Sequence, residues 1–436
     1  MSGPSLGKKD GKTKVAAQIG DSAPVLLLPF PQPSPFPHLR QFDQRPHMRE
    51  AIMHEYFCGP TSFALLRIPP QAKQVLPPFP HCETPLDRRT ITTRGLESFW
   101  PQPPLHTLTT SRVPGTRSMA IIEHTLIRVL PPGSFQIDDD LGLTYASPQC
   151  TLLTMAPLIS LYKLTMAMYE LCGSFAVFDP GPELQSHLDA IEPRRLIWPG
   201  NWRQVRSQSG QGTSLWRREP LVSIGELERY RDATKGMRGN NAFAKALSLV
   251  TGICASPLEV QASMLLALPA CRGGEGLHGF KNNCQISLTP TAMTLAGQNT
   301  CYADLFFNSV KQRPGKPRPG IVIECQGRVV HENARQGGID ANRTLALQSM
   351  GLEVMLVTRE QLRDKRRFDA FTQHLREKLG VRKRTRSARS LQATEALRQD
   401  LFEDWETFYL PDRDINYLDD ARRARARRRK GQGGHA

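Results

Sequence analysis

Two short stretches, CYADLFF (301–307) and GIVIECQG (320–327), carry acids inside otherwise apolar, β-branched or aromatic runs. Strand periodicity sets Tyr302, Asp304 and Phe306 on one face of the first. In the second it sets Val322, Glu324 and Gln326 together, opposite Ile321, Ile323 and Cys325. An acid buried among such residues costs free energy unless its charge is compensated. One divalent cation shared by Asp304 and Glu324 compensates both. An all-oxygen pair suits Mg2+ (or Mn2+), with water and a substrate phosphate completing the shell. The structural alternative puts Asp304 at a strand end and pairs Glu324 with a basic neighbour, Arg328 or Arg343.

Three further residues extend the constellation. Ser256, Pro257 and Glu259 have the spacing of a capping box, with serine at the N-cap, proline first and glutamate third in the helix. That explains Glu259 fully, yet the same residue is placed to support a metal through water. Arg343, early in a helix, either contacts a phosphate or pairs with Asp340. His331 is either a proton shuttle or a surface histidine.

The elements that must position these residues run in the order α-β-β-β-α-β-α. A helix from Ser256 precedes strands at 283–288, 301–307 and 320–330. A helix ending at Gly351, a strand at 352–358 and a helix at 360–380 follow. The step from 320 to 358 predicts parallel strands joined by a crossover helix, and the other strands pair antiparallel. The fold class is therefore α/β, a mixed sheet with helices on its faces, preceded by a smaller α+β domain.

That smaller domain spans 48–250. Strands are expected at 105–110, 119–129 and 142–146. A helix capped by Ser147 with Pro148 in its first turn and one closing at Gly173 come next. Residues 179–219 lack periodicity and read as a surface insertion, and a helical pair follows at 223–235 and 239–250. Residues 1–47, with LLLPFPQPSPFP, read as a disordered proline-rich arm. Residues 381–436 read as a basic tail, partly helical and partly disordered.

Lysine and arginine outnumber aspartate and glutamate 57 to 41 over 436 residues, a net charge of +16 that attracts polyanions. In the tail, Arg422, Arg423, Arg425, Arg427, Arg428, Arg429 and Lys430 concentrate that charge and are expected to bind phosphate backbones. No run of eighteen apolar residues exists and the first 21 residues lack an apolar core, so the expectation is a cytoplasmic protein with no membrane partner. The nine cysteines show no Cys-x-x-Cys spacing and read as reduced core thiols; the sequence names no protein partner.

Taken in order, the acid in YADLFF, the motif VIECQG, His331, the Asp-x-x-Arg of DANR (340–343) and the strand GLEVMLVT resemble a bacterial endonuclease-like family of unknown function. That family is related to the very-short-patch-repair endonucleases of the PD-(D/E)XK superfamily, and the similarity covers about 256–380. More loosely, GPTSFALLRIP, LPPGSF, SPQCTLLTMA and YELCG in 48–250 are similar to AbiEi-type antitoxins. The resemblance implies a restriction-endonuclease-like domain with Asp304, Glu324, Gln326 and Glu259 as catalytic residues. Asp304 and Glu324 would hold the metal, and Arg343 and His331 would contact nucleic acid. The implied activity is metal-dependent phosphodiester hydrolysis of DNA, in defence or a toxin–antitoxin system. One departure matters: family members carry aspartate where this chain has Gln326, and the wider superfamily carries lysine. The alternative is thus a catalytically inactive, antitoxin-like DNA-binding regulator.

Overall fold

Apolar stretches broken by proline and glycine form three sheets among the described residues of the protein, seen in a computed structural model. It describes residues 56–81, 85–109, 119–126, 128–191, 196–207, 209–308, 320–327, 334–383 and 385–418. The proline-rich arm, His331 and Arg422–Lys430 lie outside the described residues, as do the side chains of Arg328 and Asp340. The described chain is α/β, and all of it falls in one compact unit.

The first sheet contains β1 (Tyr56–Phe57), β2 (Leu105–Thr109), β3 (Ile121–Thr125), β4 (Phe135–Asp138) and β5 (Leu143–Ala146), in the order β3-β2-β1-β5-β4. It is mixed: β2/β3 and β1/β5 are parallel, while β1/β2 and β4/β5 are antiparallel. Helices Pro148–Met155 and Leu161–Cys172 follow, and Ser147 and Ser160 each accept a backbone N–H at their starts. Gly173 ends the second helix because nothing larger fits. A Cβ there would lie 2.5 Å from both the Cys254 and the Tyr169 carbonyl oxygens.

Residues 179–219 correct the expectation of a surface insertion. They contain the helix Gly181–Ile191 and the strands β7 (Arg203–Arg206) and β8 (Gly212–Arg217). With β6 (Phe175–Val177) these form an antiparallel sheet in the order β6-β8-β7. The segment is anchored by two buried tryptophans, Trp202 and Trp216, whose rings lie 6.3 Å apart. Trp216 also donates to the Phe178 carbonyl at 3.1 Å. Two large aromatics supply the apolar area that the weak alternation of the strands did not advertise.

The third sheet has the order β12-β11-β10-β9, with β9 (Lys281–Ser287), β10 (Thr300–Phe307), β11 (Ile321–Gln326) and β12 (Glu353–Thr358). β9, β10 and β11 pair antiparallel; β11 and β12 are parallel, joined through the helix Ala334–Ser349. An additional helix, Pro290–Ala296, bridges β9 and β10, capped by Thr289 and closed by Gly297 at φ +66°. One sheet face buries Leu305, Phe307, Ile321, Ile323, Met355 and Val357 in the main core with the helix Pro257–Ala267. On the other face Phe306 and Val322 form a smaller core with Ala346 and Leu347 of the crossover helix.

The reading of 381–436 as a tail is corrected for its first part. The helix Ala388–Leu401 buries Leu397 and Leu401, and Trp405, Phe408 and Tyr409 enter the main core. Asp414 accepts a hydrogen bond from the buried ring of His106 on β2, Nε2 to Oδ2 2.9 Å. The basic residues hid this segment because arginine stems pack while their head groups bond: Arg398 donates to the Leu362 carbonyl at 2.8 Å and lies over the Phe402 ring. The eight described cysteines are all unpaired. Among the described residues no helix is long and apolar enough to cross a membrane.

Candidate active site

Asp304 sits where β10 parts from both of its neighbours. Toward β11 the register runs Phe307 to Ile321, Phe306 to Val322 and Leu305 to Ile323. One further step would set Asp304 opposite Glu324. Instead, the Cys325 N–H donates to Asp304 Oδ2 at 2.7 Å, so a side chain replaces a main-chain acceptor. Toward β9, pairs form at Ala303 and at Leu305 but skip the position between them, where Asn283 has φ +45°.

The alternation of faces changes at this point. Cys301 and Ala303 join Phe306 in the core beside the crossover helix, while Leu305 and Phe307 face the main core. This corrects the expected shared face of Tyr302, Asp304 and Phe306: Phe306 is buried and Tyr302 is exposed. β11 keeps its alternation, with Val322 on the crossover side and Ile321 and Ile323 opposite.

Glu324 is paired with Arg343, the second of the two partners the sequence allowed. Arg343 Nη2 donates to Glu324 Oε1 at 2.9 Å and also to the Tyr302 carbonyl, while its buried Nε has no partner among the described residues. Arg343 thereby holds β10 and the end of β11 in fixed relation around the acids. Glu259 does not close the capping box on Ser256 N–H. Its Oε2 accepts from Ala255 N–H at 2.6 Å and its Oε1 from the Ser256 hydroxyl at 2.8 Å, while Ser256 Oγ accepts from Glu259 N–H.

Asp304, Glu324, Gln326 and Glu259 all line one cavity of about 580 Å³, together with Arg343. Burial pushes the carboxyl of Glu259 up to about 8, and neighbouring Asp304 pushes it the same way. Burial also raises Asp304, against the pull of the Cys325 N–H and of Arg343 and Arg217. Two acids in one enclosure with too little positive charge is an arrangement a bound cation relieves. Among the described residues no three His, Cys, Asp or Glu side chains converge as metal ligands.

Sequence reasoning missed part of the lining. Arg217 comes from β8, inside the stretch read as an insertion, and donates to the Ala255 carbonyl beside Glu259. Arg359 follows the Thr358 cap after β12, and Glu403 to Glu406 wall one side from the supposed tail. Only Arg359 had a legible signal, its position directly after the strand end V-T.

The Glu259 shift has a measurable sign. A carboxyl raised from 4.5 to about 8 carries its destabilisation when ionised in the folded state. Wild type should therefore lose stability relative to Glu259→Gln as pH climbs between those two values. Melting temperatures of both proteins between pH 5 and pH 9 (about the accessible range) measure this; parallel curves would show that Glu259 is not strained.

No family model, curated protein or solved structure matches this chain.

Proposed function

We propose that this cavity hydrolyses phosphodiester bonds of nucleic acid, DNA foremost, with Mg2+ (or Mn2+) held by Asp304 and Glu324 in a restriction-endonuclease-like domain. The observation that carries the reading is the parting of β10 and β11, which leaves Asp304, Glu324 and Gln326 around one cavity with Glu259 and Arg343. The donor set suits such an ion: Asp304 and Glu324 offer carboxylate oxygens, with a second acid, Glu259, beside Asp304, in a cavity with room for water and a phosphate. Bound there, it would lower the pKa of a water molecule and neutralise charge building on the phosphate.

The chain's own residues supply the rest. Gln326, at the end of β11, offers an amide to orient the attacking water. Glu259, held by Ala255 N–H and the Ser256 hydroxyl, supports a water at the same centre. Arg343 keeps Glu324 in place and presents a guanidinium to a phosphate oxygen. Arginine donors lining the cavity act on charge that develops during reaction.

The pairing of Glu324 with Arg343 and the neutral side chain at Gln326 favour a second reading, a DNA-binding regulator of the antitoxin-like kind that no longer cuts. Cleavage separates the two. Supercoiled plasmid and a single-stranded circle are incubated with protein and Mg2+, Mn2+ or chelator. Glu324→Gln should cut about 10³-fold more slowly than wild type, in line with removal of a key electrostatic group. Equal, chelator-insensitive traces from both proteins would sink the catalytic reading.

A further inference from the structure

A second cavity, of about 790 Å³, meets the first at the acid centre: both are lined by Arg217, Glu259, Asp304 and Arg343. Its outer wall differs in character. Leu196, Ile197 and Tyr302 line it and are 53%, 90% and 51% exposed, an apolar surface left in the open directly beside buried charge. Arg203, exposed on β7, and Trp198 belong to the same wall. Isolated exposed apolar residues need no explanation, but a cluster at the mouth of a polar site marks a surface with an occupant.

Charge and spacing identify that occupant's chemistry. Tyr302 lies two residues before Asp304 on β10, about 7 Å along the strand. Its ring is exposed, while its carbonyl is held by Arg343, the residue that also holds Glu324. Arg203, Arg217 and Arg343 line the cavity beside the acids Glu219, Glu259 and Asp304 and offer the cationic groups that a phosphate backbone binds. In a duplex the base faces are already stacked, so an aromatic and aliphatic wall gains little from them. An unpaired base has its faces free for such a wall.

We propose that the site takes nucleic acid as an unpaired strand, with one base stacked on Tyr302 and the adjoining phosphates led by Arg203, Arg217 and Arg343 toward Asp304. This rests on the phosphodiesterase reading and specifies its substrate. Leu196 and Ile197 shield the base from water on the outer side of the wall. Arg218, also in this wall, takes no part: it is buried and committed to the Glu170 and Gly173 carbonyls.

Fluorescence anisotropy of the full chain in chelator tests the proposal without catalysis, using labelled oligo-dT and a mixed-sequence duplex of equal length. The single strand should bind at least about 10-fold more tightly than the duplex. Tyr302→Ala should weaken single-strand binding about 10-fold, the loss expected for one stacked base, with duplex binding unchanged; Tyr302→Trp should restore it. Equal affinity for the two probes, or an unaltered Tyr302→Ala, overturns the proposal. Cleavage that depends on Glu324 would then still stand. Conversely, Tyr302-dependent binding with cleavage indifferent to Glu324 would remove the catalytic reading and leave the single-strand site.

Discussion

Asp304→Asn should give a protein that is more stable than wild type and inactive. The carboxyl is partly buried, is raised by desolvation, and shares its enclosure with Glu259. The amide removes the charge and keeps an acceptor for the Cys325 N–H, now made at 2.7 Å. Relief of an uncompensated buried charge is worth about 1–3 kcal/mol, and it should appear as a higher melting temperature at neutral pH. As pH falls through the carboxyl's raised folded titration the advantage should shrink, and it should vanish only below the ordinary value of 3.8. Cleavage should fall about 10³-fold or more, since a group that meets charge building on the phosphate is lost. Mg2+ should raise the melting temperature of wild type by mass action and leave Asp304→Asn unmoved. A purely structural Asp304 predicts the opposite sign in stability, so a lowered melting temperature would count against the functional assignment.

Glu170→Ala should be the most damaging single substitution away from the site. Glu170 is fully buried and accepts from Arg67 Nε at 2.8 Å, Arg67 Nη2 at 2.6 Å, Val177 N–H at 3.1 Å and Trp405 Nε1 at 2.6 Å. Arg67 in turn donates to the Trp405 and Glu406 carbonyls and lies 4.5 Å from the Phe63 ring centre. Removing the carboxylate strands a buried guanidinium, at a cost of about 3–5 kcal/mol. That is a large share of the roughly 5–15 kcal/mol that holds a typical protein folded. Trp405 and Glu406 also line the cavity, so the substitution should reduce activity in whatever protein remains folded. Urea denaturation and soluble yield measure the effect; a loss under about 1 kcal/mol would mean the network relaxes without Glu170. Glu170→Gln should cost less, because the amide still accepts from one donor while the charge of Arg67 goes uncompensated.

Much of the third sheet was legible because its strands are β-branched runs bounded by glycine and its helices have good caps. GIVIECQG and GLEVMLVT read as parallel strands, and the stretch between them had the length of a crossover helix. The residue types of the site followed from the same runs, since an acid in such a strand stands out by its cost.

The tertiary structure decided how those residues meet. Counting alternate residues assumes an unbroken ladder, and β10 breaks its ladder at Asp304, so the face of Phe306 was misassigned. Glu324 had two arginines in its sequence neighbourhood, and the packing of the crossover helix against the sheet is what brings Arg343 to it. Arg217 arrives from a strand more than eighty positions away, and the wall from Glu403 to Glu406 comes from the far end of the chain. Local sequence fixes which groups are costly to bury; which partners share that cost depends on long-range packing, which no local period encodes. The sequence by itself determined that Asp304, Glu324 and Gln326 sit on adjacent strands, and the fold alone decided that the strands part there to open a cavity.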